Sequence, residues 1–303
     1  MKLNKITLTT WFLFMVGVAF GQNDVAFKVL VNKGKNEVKS GNDWIPVKAG
    51  ASLKSADELR ISENAYLGLV HATGKPVELK KAGTYKVATL SSQVGPGTSV
   101  LSKYTDFILS SNSADQRNNR LAATGAVHRG AEKIKVYLPR PELSIVFNNI
   151  VTLNWETDKA PAPYIVTFNS MFGDELSSVE AASNTVTIDL NDISFANEDN
   201  IIIKVSSKAD PNKISDEYTL KRLSRADINR LKNSYNEIQG VVSDETAMSK
   251  LSQAGFYEEN NLLVDAITAY QEAIKLAPDV PMFKEYYESF LLRHGIKEPA
   301  IKK

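Results

Sequence analysis

The spacing of apolar residues changes character along this chain, and that change limits the fold more than any other feature. From about residue 25 to residue 222, short runs such as "VAFKVLVNKG", "TVTIDL" and "NIIIKVSS" alternate apolar and polar positions. A period of two places successive side chains on opposite faces of a strand. Beyond Leu223 the period lengthens to that of a helix, in "LSRADINRLKNSYNEIQG" and in "DAITAYQEAIKLAPD". Strand-rich units followed by a helical region are therefore expected. At 303 residues and 43% apolar content the chain can bury cores for two or three domains. It has no cysteine, which excludes disulfides, cysteine–zinc sites and lipid attachment at a cysteine. Packing alone must hold such a chain together.

The opening "MKLNKITLTTWFLFMVGVAFGQ" joins the basic residues Lys2 and Lys5 to a short apolar run from Leu8 to Phe20. Ala19 and Gly21 then stand as the small residues of a cleavage site. The pattern predicts a secretory signal peptide over 1–21 with cleavage after Gly21. The run is shorter than the roughly 20 residues a membrane span needs, and no later run approaches that length. The expectation is an exported chain, periplasmic or envelope-associated, with no transmembrane span after signal removal.

Charge divides the remainder into three. Residues 22–140 carry 18 Lys and Arg against 10 Asp and Glu, a net of +8. Residues 141–215 carry 4 against 11, a net of −7, and residues 216–303 carry 12 against 14, a net of −2. A basic unit beside an acidic one implies either an acidic ligand for the first or docking of one unit on the other.

Segment 22–97 predicts a small all-β domain. Gly41, Gly50, Gly74 and Gly83 fall at turn spacing, and Trp44, Val47, Leu53, Leu59 and Ile61 are its core candidates. The order Trp44, Val47, Gly50, Leu53, Asp57, Leu59, Arg60, followed by Ala65, Leu67, Leu69, Gly74, Val77 and Leu79, resembles the FecR-type domain of bacterial envelope proteins. That resemblance implies a β-domain on the outer side of a membrane, without the cytoplasmic segment and spanning helix of the signalling members. Residues 98–140 predict a helix and a basic linker. Val100, Leu101, Tyr104, Phe107 and Ile108 share one helical face, and Arg117, Arg120, Arg129, Lys133 and Lys135 follow. Without interleaved aromatics that cluster does not predict nucleic-acid binding.

Pro139 and Pro141 mark the next boundary. Over 141–222 the alternation places Val151, Leu153 and Trp155 on one face, Ile165 with Thr167, Val186 with Ile188 and Leu190, and Ile201 with Ile203 and Val205. Short strands of this kind predict a β-sandwich. "VTLNW…PYIVTF…TVTIDL…NIIIKVSSKAD" resembles a fibronectin type III or related immunoglobulin-like module, with Trp155 at the core tryptophan position and no tyrosine where Asn200 and Ile201 stand.

Residues 223–303 are all-α by pattern. Ser224 and Ser243 are N-cap candidates, and Gly240 closes the first helix. Ala266, Tyr270 and Ala273 alternate small, large and small on one face, and Pro278 stops that helix. With Ala254 and Tyr257 on the preceding helix, these positions resemble one tetratricopeptide repeat over roughly 247–280. Lys250 and Gln253 stand where the repeat has Trp and Leu. "PMFKEYYESFLLRHG" would open a further repeat or cap the array. The repeat's role is helix stacking; the polar face is too acidic for a membrane amphipath.

Enzyme signatures are weak. His71, His128 and His294 fall in different segments, outside any zinc-protease spacing, and there is neither a phosphate loop nor a nucleophile elbow. Asp189, Asp192, Glu198 and Asp199 lack the glycine and spacing of a calcium loop. The expectation is a non-enzymatic chain with no catalytic, cofactor-binding or metal residues. It would be a cell-envelope scaffold that docks another envelope protein through its helical tail. The alternative is a cell-wall or polysaccharide-binding module acting through the basic N-terminal domain.

Overall fold

The computed structural model describes residues 25–95, 97, 99–112, 133–157, 160–242 and 245–298. The expected signal with Gly21, the basic residues Arg117, Arg120 and Arg129, His128, and the cap candidate Ser243 lie outside them. The layout is β-rich first and helical last, as the change of period requires.

The first β unit holds β1 (Val25–Lys33), β2 (Asn36–Ser40), β3 (Asp43–Pro46), β4 (Ser52–Lys54), β5 (Glu58–Ile61), β6 (Tyr66–His71), β7 (Pro76–Leu79) and β8 (Gly83–Lys86). They pair antiparallel into two four-stranded sheets, β4-β1-β6-β7 and β3-β2-β5-β8. Phe27, Val29, Val47, Leu53, Leu59, Ile61, Leu67 and Leu69 fill the space between. Gly34 and Gly74 turn with positive φ, +80° and +88°, which a side chain would strain. Trp44 departs from the sequence reading. It is half-buried outside the core, with the Arg60 guanidinium 4.5 Å over its ring, because β3 lies at a sheet edge.

Helix α1 (Val87–Gln93) leads to α2 (Ser99–Ser111), where Tyr104 and Ile108 are buried as the helical face predicts. The second β unit comprises β9 (Ile145–Val146), β10 (Ile150–Asn154), β11 (Tyr164–Asn169), β12 (Glu175–Ala181), β13 (Thr185–Asp189), β14 (Asn200–Ser207) and β15 (Tyr218–Arg222). A five-stranded sheet, β12-β11-β14-β15-β9, is accompanied by the pair β10-β13. Trp155 lies edge-on to Tyr164 at 5.2 Å in their shared core. That core also takes in Ile134, Val136 and Leu138 from the stretch read as linker. On β11 it is Tyr164, Val166 and Phe168 that point inward, while Ile165 and Thr167 are half-buried on the other face.

Four helices complete the chain: α3 (Arg225–Val241), α4 (Ala247–Glu259), α5 (Leu263–Leu276) and α6 (Pro281–Arg293). Ser224 caps α3 through the amide of Asp227 at 3.2 Å, and Thr246 caps α4 through that of Ser249 at 3.1 Å. Gly240 lies within the last turn of α3, which ends at Val241. No helix among the described residues is long and apolar enough to cross a membrane.

These helices do not project from the β units. One core joins Leu30, Val31, Tyr66 and Val70 of the first unit to Tyr104, Ile108 and the inner faces of α4, α5 and α6. Val264 of α5 enters the core of the second unit. Neighbouring tyrosines on α6 reach both: Tyr286 donates to the Leu30 carbonyl at 2.6 Å, and Tyr287 to Asn154 Oδ1 at 2.8 Å. Gly68 and Gly255 allow the close approach, since a Cβ would meet Met248 Sδ at 2.4 Å and Ile108 Cδ1 at 2.9 Å respectively.

Candidate functional site

The packing residues read from the sequence converge at the middle of this assembly. Ala254, Tyr257, Ala266, Tyr270 and Ala273 are all buried, and the two helices that carry them pack along their length. Pro278 is exposed just past the end of α5 at Leu276. The ring of Tyr270 packs, tilted by 40°, against Tyr287 and Phe290, with centroids 6.0 and 5.2 Å away. Its hydroxyl donates to Glu258 Oε2 at 3.0 Å.

Glu258 is only 3% exposed and anchors a charged cluster. Arg293 donates to its Oε1 from Nε at 2.7 Å and Nη2 at 2.6 Å, and His294 Nε2 donates to the same oxygen at 2.9 Å. Burial alone would raise this carboxyl. The His294 hydrogen bond and the Arg293 charge overcome it and hold the group below the usual carboxylate range. The buried carboxylate is fully paired, as a buried charge must be, and Arg293 Nη1 carries the network on to the Ser111 carbonyl and Ser289 Oγ, both at 3.2 Å.

A cleft opens where α3, α4 and α5 meet the second β unit. Its volume is about 380 Å³, within the range of small-ligand sites, roughly 300–1,000 Å³. Helical spacing brings Tyr235 and Gln239 from α3, Lys250, Gln253 and Tyr257 from α4, and Asp265, Thr268 and Glu272 from α5 to its walls. Asn148, Asn149, Ile150 and Asn191 line the opposite side.

Asp265 fixes this joint. Its two carboxylate oxygens accept the backbone amides of Phe147 and Asn148, both at 2.8 Å. Thr268 Oγ1 accepts the amide of Thr152 at 2.9 Å. The first two turns of α5 thus satisfy backbone amides of the β9–β10 connection and of β10. Burial pushes the Asp265 carboxyl up to about 7 against the lowering effect of those amides. Above it, Asn148 Nδ2 donates to the Tyr257 hydroxyl at 2.7 Å, and the Tyr235 hydroxyl donates to Asn148 Oδ1 at 3.3 Å. At the mouth, Lys250 Nζ lies 3.0 Å from both Glu245 and Glu272. Burial alone would lower this ammonium, but the two carboxylates hold it above the usual lysine range.

One sequence signal pointed to this cleft. Lys250 and Gln253 break the repeat pattern, and both line it. Asp265 and Asn148 carried no local mark, because their partners are more than a hundred residues away.

The other candidates do not join this site. His71 accepts the Thr73 amide on Nδ1 at 3.2 Å, so its proton sits on Nε2, which donates to Ser91 Oγ at 2.7 Å. That is the reverse of a histidine drawing a proton from serine. Asp192 caps a short turn through the Ser194 amide at 2.9 Å, and Asp189 accepts the Asn191 amide at 2.8 Å. Among the described residues no group of three or more His, Asp or Glu is arranged to hold a metal ion.

No protein-family profile matches the chain, and no curated protein matches it. Among solved structures it is similar in part to the complex of Porphyromonas gingivalis RgpB pro- and mature domains. The identity there is 20% over 30% of this chain and 19% of that one, with a TM-score of 0.22. It is similar also to the Arg-specific cysteine proteinase gingipain R (RGPB), at 19% identity over 30% of this chain and 18% of that one, again with a TM-score of 0.22. The chain spans about a fifth of the length of these structures. The expectation that the chain is no enzyme is corrected here: the solved structures it matches are those of a proteinase, and the denial of catalysis is withdrawn. A TM-score of 0.22 assigns neither fold nor activity in its place.

Proposed function

We propose that this is an exported cell-envelope scaffold, with a FecR-like β-domain, an immunoglobulin- or fibronectin-like sandwich and a tetratricopeptide-like helical tail. It docks a protein partner at the cleft between tail and sandwich. The faces that stack the helices are occupied by the chain's own β units, so the docking surface of the tail is this cleft.

The observation that carries the reading is the polar inventory of the cleft. Gln253 and Asn191 have side-chain amides without a hydrogen-bond partner among the described residues, and Asn149 Nδ2 is likewise open. A side-chain amide presents a donor and an acceptor together, which matches the peptide groups of an extended segment. Glu245 and Glu272 at the mouth add preference for a basic side chain on that segment.

A photo-crosslinking residue at Gln239, in the cleft, and a control at Asn212, on an exposed turn, test the reading in cells. A discrete protein adduct from Gln239, absent from Asn212 and lost in a Gln253→Ala, Glu272→Ala background, supports it. Adducts from both positions, from neither, or with cell-wall polymer alone overturn it.

A further inference from the structure

Among the described residues, the turn between β11 and β12 carries the most exposed large apolar side chain. Phe172 is 94% and Met171 58% exposed. The turn is nonetheless tightly held. Ser170 Oγ accepts the amides of Phe172 at 3.1 Å and Asp174 at 3.2 Å, Ser170 N donates to the Asp174 carbonyl at 2.8 Å, and Gly173 takes φ +94°. Ile193, 87% exposed, stands at the same end of the unit, on a turn whose Phe195 packs 5.6 Å from Phe168. Asp174 and Glu175 follow Phe172 on this turn, and Asp192 caps the turn that carries Ile193; the stretch 141–215 that holds them all has a net charge of −7. Met171, Phe172 and Ile193 together expose apolar surface at one end of the unit, as interaction sites do, and a pre-organised turn lowers the ordering cost of a contact there.

The first β unit carries a matching hole. A half-enclosed, mainly apolar cavity of about 190 Å³ lies between β1, the end of β6 and α2, walled by Val25, Phe27, Val70, His71, Ala72 and Thr105 together with the Lys28–Asp106 ion pair. An apolar cavity of about 150 Å³ is enough to take benzene. Lys54, paired opposite Val25, and Lys75, beside His71, flank it without ion-pair partners among the described residues.

We propose that the Met171–Phe172 knob of one copy seats in this cavity of a second copy, a head-to-tail contact between the acidic end of one and the basic unit of the next. Because knob and hole lie on different units of the chain, the contact is heterologous and propagates rather than closing as a two-fold dimer. It is independent of the cleft and of the docking reading.

Sedimentation velocity of the mature chain across a wide concentration range tests it. The wild type forms a ladder of oligomers that shortens with added salt. Phe172→Ser weakens self-association by roughly tenfold or more, the ratio that burying one phenyl ring supports. Ala72→Phe, which fills the hole, does the same. Mixing the two variants restores one intact knob and one intact hole, and gives a dimer that grows no further. A wild type that stays monomeric at every concentration, oligomers unchanged in Phe172→Ser or Ala72→Phe, or a mixture that gives no dimer overturns the proposal.

Discussion

Asp265 makes the joint between helices and sheet depend on pH in a direction opposite to that of a carboxylate held down by cations, such as Glu258. Its folded-state carboxyl ionises near 7 and its ordinary value is 3.8. Between those values the folded chain holds a proton that the unfolded chain has released. Stability therefore falls as pH rises through about 4 to 7 and is flat beyond. The full difference is about 4 kcal/mol. Asp265→Asn removes the titration while keeping the shape. It also turns one acceptor into a donor facing a buried amide, which subtracts about 1–3 kcal/mol at every pH. Other groups titrate in the same range, among them His71, which burial holds below its ordinary value. Subtracting the variant's curve from the wild type's cancels them. The assay is urea unfolding from pH 4 to pH 8, followed by the fluorescence of the buried Trp155 and by circular dichroism, with coincidence of the two probes as the check on a single transition. The stability difference, wild type minus variant, should be largest near pH 4 and shrink by about 4 kcal/mol toward pH 8. Parallel curves would refute the reasoning, since they would mean that the carboxyl ionises alike in both states.

Three further outcomes follow from the packing. Glu258→Ala takes from Arg293 and His294 their shared carboxylate and should cost about 3–5 kcal/mol, read as a lower urea midpoint; a wild-type midpoint contradicts the charge pairing. Gly255→Val drives a branched side chain into Ile108 and should cost about 1–3 kcal/mol through overpacking, seen in thermal unfolding, whereas an unchanged midpoint shows that α2 and α4 can separate freely. Ending the chain at Leu223 uncovers Leu30, Val31, Tyr66 and Val70, so the product should aggregate and bind a hydrophobic dye; a soluble, monodisperse product would show that the β units do not need the helices.

The truncation shows where sequence reading reached its limit. Spacing predicted the helices, the Ser224 cap and the small-and-aromatic face of α4 and α5. It read those helices as a tail, because each apolar face is visible locally while its partner is not. The faces were in fact divided between two β units, with Tyr286 serving one and Tyr287 the other. Along β10 and into Trp155, alternation placed Val151, Leu153 and Trp155 on one face and carried no reading of Thr152 and Asn154 on the other. Both are buried under α5 and α6, where polar side chains meet polar partners and the hydrophobic pattern carries no signal. Trp44 erred the other way: a large apolar residue at an edge strand is satisfied by an arginine over its ring rather than by the core.

By itself the sequence determined what short-range physics controls: the period of each segment, the glycine turn at Gly74, the strand-then-helix order, and core residues such as Val47, Leu53, Leu59 and Ile61 in the first β unit and Val151, Leu153 and Trp155 in the second. Tertiary structure alone decided which faces met. It buried Asp265 against amides of a distant strand, drew Glu258, Arg293 and His294 together from two helices, opened the polar cleft at Gln253 and left Phe172 exposed on a rigid turn. The physical reason is one of range. Strand and helix periods follow from neighbours a few residues apart, whereas desolvation and pairing of polar groups depend on what the rest of the chain brings alongside.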